Sequence, residues 1–131
     1  MIVRVLIADD DPLIRDVLRD VLDDEPDLRV VAVATDAREA VELAGQHAPA
    51  VVVLDVRMPW GGGPHAASAI LRRAPATRIL AFSAHTDPGT VDDMRRAGVS
   101  DYLAKGVRNT ELVAAVRRLG ARQVVVRKQR P

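Results

Sequence analysis

Short, almost unbroken apolar runs alternate along the chain with segments whose apolar residues recur at helical spacing. IVRVLIA (2–8), RVVAVAT (29–35), AVVVLD (50–55), RILAFS (78–83) and SDYLAK (100–105) read as five strands. After the first, Leu13, Ile14, Val17, Val21 and Leu22 fall on one helical face, and Pro12 fits the first turn, where its missing N–H costs nothing. Asp36 is placed to cap a helix over 37–47 with Ala40, Val41, Leu43 and Ala44 on its apolar side. WGGGP (60–64) reads as a loop and HAASAILRRA as the helix that follows it. Asp87 and Pro88 read as the cap and first turn of a short helix carrying Val91, Met94 and Ala97 and ended by Gly98. Asn109 or Thr110 is expected to cap the last helix, TELVAAVRRL, and Gly120 to end it.

Strands alternating with helices predict an α/β domain built on a doubly wound, five-stranded parallel sheet with five helices. The near-continuous Val/Leu runs agree, because a parallel sheet is covered on both faces. In such folds ligands bind outside the carboxyl ends of the strands. Those ends carry Asp9, Asp10 and Asp11 after the first strand, Asp55 after the third, Ser83 at the end of the fourth and Lys105 at the end of the fifth. By itself Asp55 is equally a turn residue at the wet mouth of the sheet. If the ends converge, four carboxylates, a hydroxyl and an ammonium share one pocket. Crowded carboxylates raise one another's pKa unless a cation neutralises them. Two carboxylates plus waters suit a hard ion such as Mg²⁺.

Composition narrows the field. The chain of 131 residues fits one domain and contains no cysteine, which excludes disulfides, thiolate metal sites and a cysteine nucleophile. It fits a reducing, cytoplasmic setting. No apolar run approaches the ~20 residues of a membrane span, and MIVRVLIADDD turns acidic too early for a signal peptide. The net charge of +1 hides an asymmetry: residues 121–131 hold four basic side chains and no acid, so residues 1–120 are net acidic. The body is therefore no nucleic-acid binder by charge, and Trp60, Phe82 and Tyr102 make no stacking platform for bases. Residues 121–131 read as a basic C-terminal tail or linker after a domain of residues 1–120. Seventeen of the nineteen basic residues are arginine, which makes Lys105 stand out. A compact, mobile ammonium suits a small phosphoryl group.

The four elements VLIADDDPLIRDVL, VVVLDVRMP, AFSAH and DYLAKG, each in order at a strand end, resemble the receiver domain of two-component response regulators. The resemblance covers about residues 2–119, and ADDDPLIR and DVRMP look most like receivers that precede a helix-turn-helix DNA-binding domain. It implies a flavodoxin-like topology. It implies that Asp55 accepts a phosphoryl group from a histidine kinase. Mg²⁺ would be held by Asp10, Asp55 and the backbone carbonyl of Arg57, with Asp9 acting through water. Lys105 would contact the phosphoryl oxygens, Ser83 would be the switch hydroxyl and Tyr102 the switch aromatic. It leaves room for a homodimer through the face of the fourth helix, fifth strand and fifth helix. The domain would assist its own phosphorylation rather than act as an enzyme, and would itself touch neither nucleic acid nor membrane; DNA contact would need a domain beyond Pro131. Trp60 departs from the family loop, which usually carries a more polar residue before its glycine.

Other readings compete. A haloacid dehalogenase type phosphatase also uses a strand-end Asp and Mg²⁺, but wants a second Asp at position 57, where this chain has Arg57. A phosphorylation-independent interaction module on the same fold would not need the full set of Asp10, Asp55, Ser83 and Lys105. Asp11, next to Pro12, reads as a helix cap rather than a ligand. His47, His65 and His85 show no ligand spacing, and His85 reads as a surface-loop residue two positions past Ser83.

Overall fold

The computed structural model describes residues 1–128, with side chains described through Ala121; the last residues of the expected tail, 129–131, lie outside the described residues. One sheet holds β1 (Val3–Ala8), β2 (Leu28–Ala34), β3 (Val51–Leu54), β4 (Arg78–Ser83) and β5 (Asp101–Ala104), all parallel, in the order β2-β1-β3-β4-β5. The helices are α1 (Pro12–Asp23), α2 (Ala37–His47), α3 (Gly62–Arg73), α4 (Pro88–Arg96) and α5 (Asn109–Lys128). The pairing of β1 with β2 slips by one residue between Val5 and Leu6.

Side chains alternate across a pleated strand, and here both sides are buried. Val5 and Ile7, Val51 and Val53, and Leu80 and Phe82 join Leu18, Leu22, Leu112, Val116 and Leu119 of α1 and α5. Leu6 and Ala8, Val52 and Leu54, and Ile79 and Ala81 join Ala40, Ala44, Ala66, Ile70 and Met94 of α2, α3 and α4. Two helices therefore cover one face and three the other, as the unbroken strands predict.

The predicted caps at Asp11, Asp36 and Asp87 are present, each carboxylate accepting a backbone N–H of its helix's first turn. Three expectations are corrected. The third helix starts at Gly62 rather than His65, because Pro64 occupies its first turn, where a missing N–H is no loss. The last helix starts at Asn109, its first bonds from Glu111 and Leu112 going to the Arg108 carbonyl, so neither Asn109 nor Thr110 caps it. It also passes through Gly120 and runs to Lys128, so residues 121–128 continue a helix. Gly120 stops nothing because it packs against β1: a Cβ there would lie 2.6 Å from Val3 Cγ1.

At the amino-terminal rim of the sheet, the guanidinium of Arg4, the polar interruption in the first strand, donates to the His47 carbonyl at the end of α2 (2.6 Å). The buried Thr77 hydroxyl donates to the Pro49 carbonyl (2.7 Å). Arg117 of α5 bridges Asp27 and Glu25, and Arg118 pairs with Asp101.

Candidate functional site

Parallel strands send all their carboxyl ends to one rim. β1 delivers Asp9 and Asp10, β3 delivers Asp55, β4 delivers Ser83 and β5 delivers Lys105. Asp9 and Asp55 are buried, with 1% and 6% of their surface exposed, whereas Asp10 is exposed. Carboxylate oxygens of Asp9, Asp10 and Asp55 lie within 4.8 Å of one another. The Lys105 ammonium stands 2.8 Å from Asp9 Oδ2 and 3.5 Å from Asp55 Oδ2. Asp9, Asp10, Asp55 and Lys105 therefore lie together, whereas Asp11 caps α1, its Oδ1 accepting from the Leu13 amide at 2.9 Å.

The backbone fixes these groups. The Asp55 amide donates to the Ala8 carbonyl (2.8 Å), which continues the β1–β3 pairing one residue past β3. Asp9 Oδ1 accepts from the Asp11 amide (2.9 Å), so this carboxylate folds back over its own turn. Ser83 is fully buried; its Oγ accepts from the His85 amide (3.0 Å), and its carbonyl accepts from the Lys105 amide (2.8 Å). The half-buried Tyr102 packs against the α2–α3–α4 side of the core and directs its hydroxyl onto the His85 carbonyl.

Electrostatics follow from this crowding. Burial first, and then the neighbouring Asp9 carboxylate, push Asp55 up to about 6, while the Lys105 ammonium offsets part of that rise. Burial also works against the Lys105 ammonium, but the hydrogen bond to Asp9 and the charges of Asp55 and Asp9 outweigh it and hold its pKa above the ordinary lysine value. One ammonium thus pairs with two of three clustered carboxylates, and a second cation is what the site still wants. The donors are three carboxylates, two buried and one exposed, and such an all-oxygen set fits a hard divalent ion.

The loop after Asp55 is strained at one point. Trp60, Gly61 and Gly62 have φ of 67°, 106° and 73°, a left-handed run that glycine tolerates and tryptophan rarely adopts. Trp60 is held there from α2: the Ala37 amide donates to the Pro59 carbonyl (3.1 Å), and the Arg38 guanidinium lies 5.2 Å from the centre of the indole. Gly63 passes so close to Val56 that a Cβ would sit 2.7 Å from its Cα and carbonyl oxygen.

Two residues at the rim escaped sequence reasoning. Arg38 was hidden among exposed helix positions, and nothing in its spacing pointed at Trp60. Arg15 donates from Nη1 to the Asp9 carbonyl (2.8 Å). Helical side chains lean toward the amino terminus, so an arginine one turn into a helix that follows an acidic run was the available signal.

A parallel sheet of order 2-1-3-4-5 with acids and a lysine at its carboxyl rim defines a flavodoxin-like α/β domain. A family model, the response regulator receiver domain, matches residues 5–117, and the chain belongs to that family. It is 38% identical over 107 residues to the protein-glutamate methylesterase/protein-glutamine glutaminase of Thermotoga maritima, covering 79% of this chain and 30% of that protein. It is 36% identical over 119 residues to the DNA-binding transcriptional activator DevR/DosR of Mycobacterium tuberculosis, covering 91% of this chain and 55% of that protein. The chain thus spans between about a third and just over half of these relatives. The receiver domain of the response regulator NarL from Mycobacterium tuberculosis superposes with a TM-score of 0.87 at 36% identity, over 92% of this chain and 97% of that one. No helix among the described residues is long and apolar enough to cross a membrane.

Proposed function

We propose that this receiver domain accepts a phosphoryl group on Asp55 from the phosphohistidine of a sensor histidine kinase. The observation that carries the proposal is the placement of Lys105 within 3.5 Å of Asp55 Oδ2 at the same rim as Asp9 and Asp10. Asp55, at about 6, is largely ionised at neutral pH, so its carboxylate is an available nucleophile. A carboxylate oxygen forms the new bond to phosphorus as the phosphorus–nitrogen bond breaks, and the imidazole nitrogen departs with that electron pair. The phosphoryl group spreads its charge over three oxygens. Lys105 meets one of them, and Ser83, now bonded to the His85 amide, turns its hydroxyl toward another. Asp10, Asp55 and the Arg57 carbonyl would hold Mg²⁺ directly, with Asp9 acting through water. Bound there, Mg²⁺ neutralises the acids and the incoming phosphoryl charge. The domain assists its own modification and has no separate substrate to turn over.

The readout runs through the β4–α4 loop. When Ser83 leaves the His85 amide, the backbone that receives the Tyr102 hydroxyl is released as well. Tyr102 borders a cavity of about 410 Å³ that Thr86, Val91, Arg95 and Val99 also line. A shift of the ring reshapes the face of α4, β5 and α5, which we assign as the output surface and as the seat of a homodimer. Residues 121–131 then carry the signal toward a DNA-binding output, as the wording of ADDDPLIR and DVRMP favours. The likeness to both a methylesterase and a transcriptional activator supports a domain that can be joined to more than one kind of output.

The test is direct. Incubation with Mg²⁺ and a small phosphodonor adds roughly 80 Da, one phosphoryl group, and peptide mapping after reductive trapping places it on Asp55. An unmodified wild-type protein, or an adduct that persists in Asp55→Asn, overturns the proposal.

A further inference from the structure

Asp10 is the only exposed member of the acidic cluster, and no hydrogen bond or ion pair to another described residue holds its carboxylate. The carboxylates of its two partners are tethered: that of Asp9 by the Asp11 amide and Lys105, that of Asp55 by Lys105 and the Arg57 amide. The position of Asp10 is therefore set by its backbone. The amide of Asp9 donates to the Ala34 carbonyl of β2 (3.2 Å), which fixes the entry to the turn. The exit, the Asp9–Asp10 peptide, is held through its carbonyl by one side chain, the half-buried Arg15, at 2.8 Å.

We infer that Arg15 is a positioning residue for the metal site: by holding the Asp9–Asp10 peptide it presents the otherwise untethered Asp10 carboxylate to the divalent ion. The inference rests on the Mg²⁺ reading given above. Two physical effects of Arg15 oppose each other, and this makes it testable. As a charge, a guanidinium bonded to the backbone of the acidic turn repels a divalent cation, so removing it should tighten Mg²⁺ binding. As a clamp it reduces the ordering that binding must impose on Asp10, so removing it should weaken binding. The hydrogen bond to a peptide that carries a ligand, with no carboxylate partner for the guanidinium among the ion pairs seen, favours the clamp.

The experiment is calorimetric titration of the whole chain with MgCl₂, for the wild type, Arg15→Ala and Arg19→Ala. Arg19 lies one turn further along α1, exposed and distant from the rim in its pairing with Asp23, and controls for loss of a positive charge on the same helix. Loss of a partner behind a ligand typically costs about tenfold or more in metal affinity, and Arg15→Ala is expected to weaken Mg²⁺ by about that factor, with Arg19→Ala unchanged. In the metal-free protein the Asp11 amide, which bonds Asp9 Oδ1, is expected to exchange with deuterium faster in Arg15→Ala at unchanged global stability. Equal or tighter Mg²⁺ binding by Arg15→Ala, or unaltered Asp11 exchange, overturns the clamp and leaves the metal reading standing. A wild type that binds no Mg²⁺ overturns the metal reading, and this inference with it.

Discussion

The backbone of His85 joins Ser83 to Tyr102: its amide donates to the serine hydroxyl, and its carbonyl receives the tyrosine hydroxyl. The two switch candidates therefore share the backbone of one residue as a hydrogen-bond partner. Tyr102→Phe keeps the ring and its packing but removes one hydrogen bond, worth about 1 kcal/mol. The expected result is a small loss of stability by urea denaturation, with faster amide exchange confined to the β4–α4 loop. Exchange that stays at the wild-type rate there would break the link between the two residues.

Asp55 makes stability depend on pH in a definite sense. Its folded value of about 6 lies above the ordinary aspartate value of 3.8, so the folded state binds more protons between those limits and loses stability as pH rises through them. The difference corresponds to roughly 3 kcal/mol at most. In EDTA, Asp55→Asn is expected to be more stable than the wild type at pH 8, with the gain fading as pH falls toward 4. Denaturation curves at several pH values measure it, and a variant no more stable at pH 8 would contradict the burial argument.

Adding Mg²⁺ should reverse that ranking. A ligand at a hundred times its dissociation constant stabilises the folded state by about 2.7 kcal/mol. Saturating Mg²⁺ is expected to raise the melting temperature of the wild type, with much less effect on Asp55→Asn, and EDTA should restore the starting value. Thermal melts with and without the ion decide the matter.

Lys105→Ala removes the one ammonium that faces Asp9 and Asp55. The carboxylates then meet without relief, so the Asp55 carbon resonance should titrate at higher pH than in the wild type. Phosphorylation by a small donor should slow by roughly 10²-fold, the scale for losing one group that stabilises transition-state charge. A normal rate would remove Lys105 from the site.

Gly63→Ala is expected to disrupt the packing of the first turn of α3 on the loop after Asp55. The new Cβ would lie 2.7 Å from the Val56 backbone, which cannot yield as a flexible side chain would. Overpacking of this kind typically costs about 1–3 kcal/mol. A denaturation midpoint equal to that of the wild type would show the loop to be softer than its geometry implies.

The legible part of this molecule was the part written in one dimension. Runs such as VVVL declare a strand covered on both faces, and Asp36 and Asp87 announce helix starts through their own side chains. The gathering of Asp9, Asp10, Asp55 and Lys105 followed from topology, since parallel strands share one carboxyl rim. What escaped depended on close approach between segments. Gly120 reads as a stop signal, yet it lies inside a helix because Val3 leaves no room for a side chain. Asp11 is legible as a cap because it adjoins Pro12, whereas the pairing of Asp9 with Lys105 depends on how the turn into α1 directs the Asp9 carboxylate toward the end of β5. The bridging role of His85 belongs to its backbone, which residue identity does not encode.

The sheet has a second rim, where Arg4 reaches the His47 carbonyl and Thr77 reaches Pro49, and it holds none of the candidate chemistry. This separation makes the domain modular in an engineering sense. Thermal robustness can be dialled at one pole while the acidic cluster and Lys105 are left alone at the other, so variants hardened near Arg4 and Thr77 should keep the Mg²⁺ affinity of the wild type.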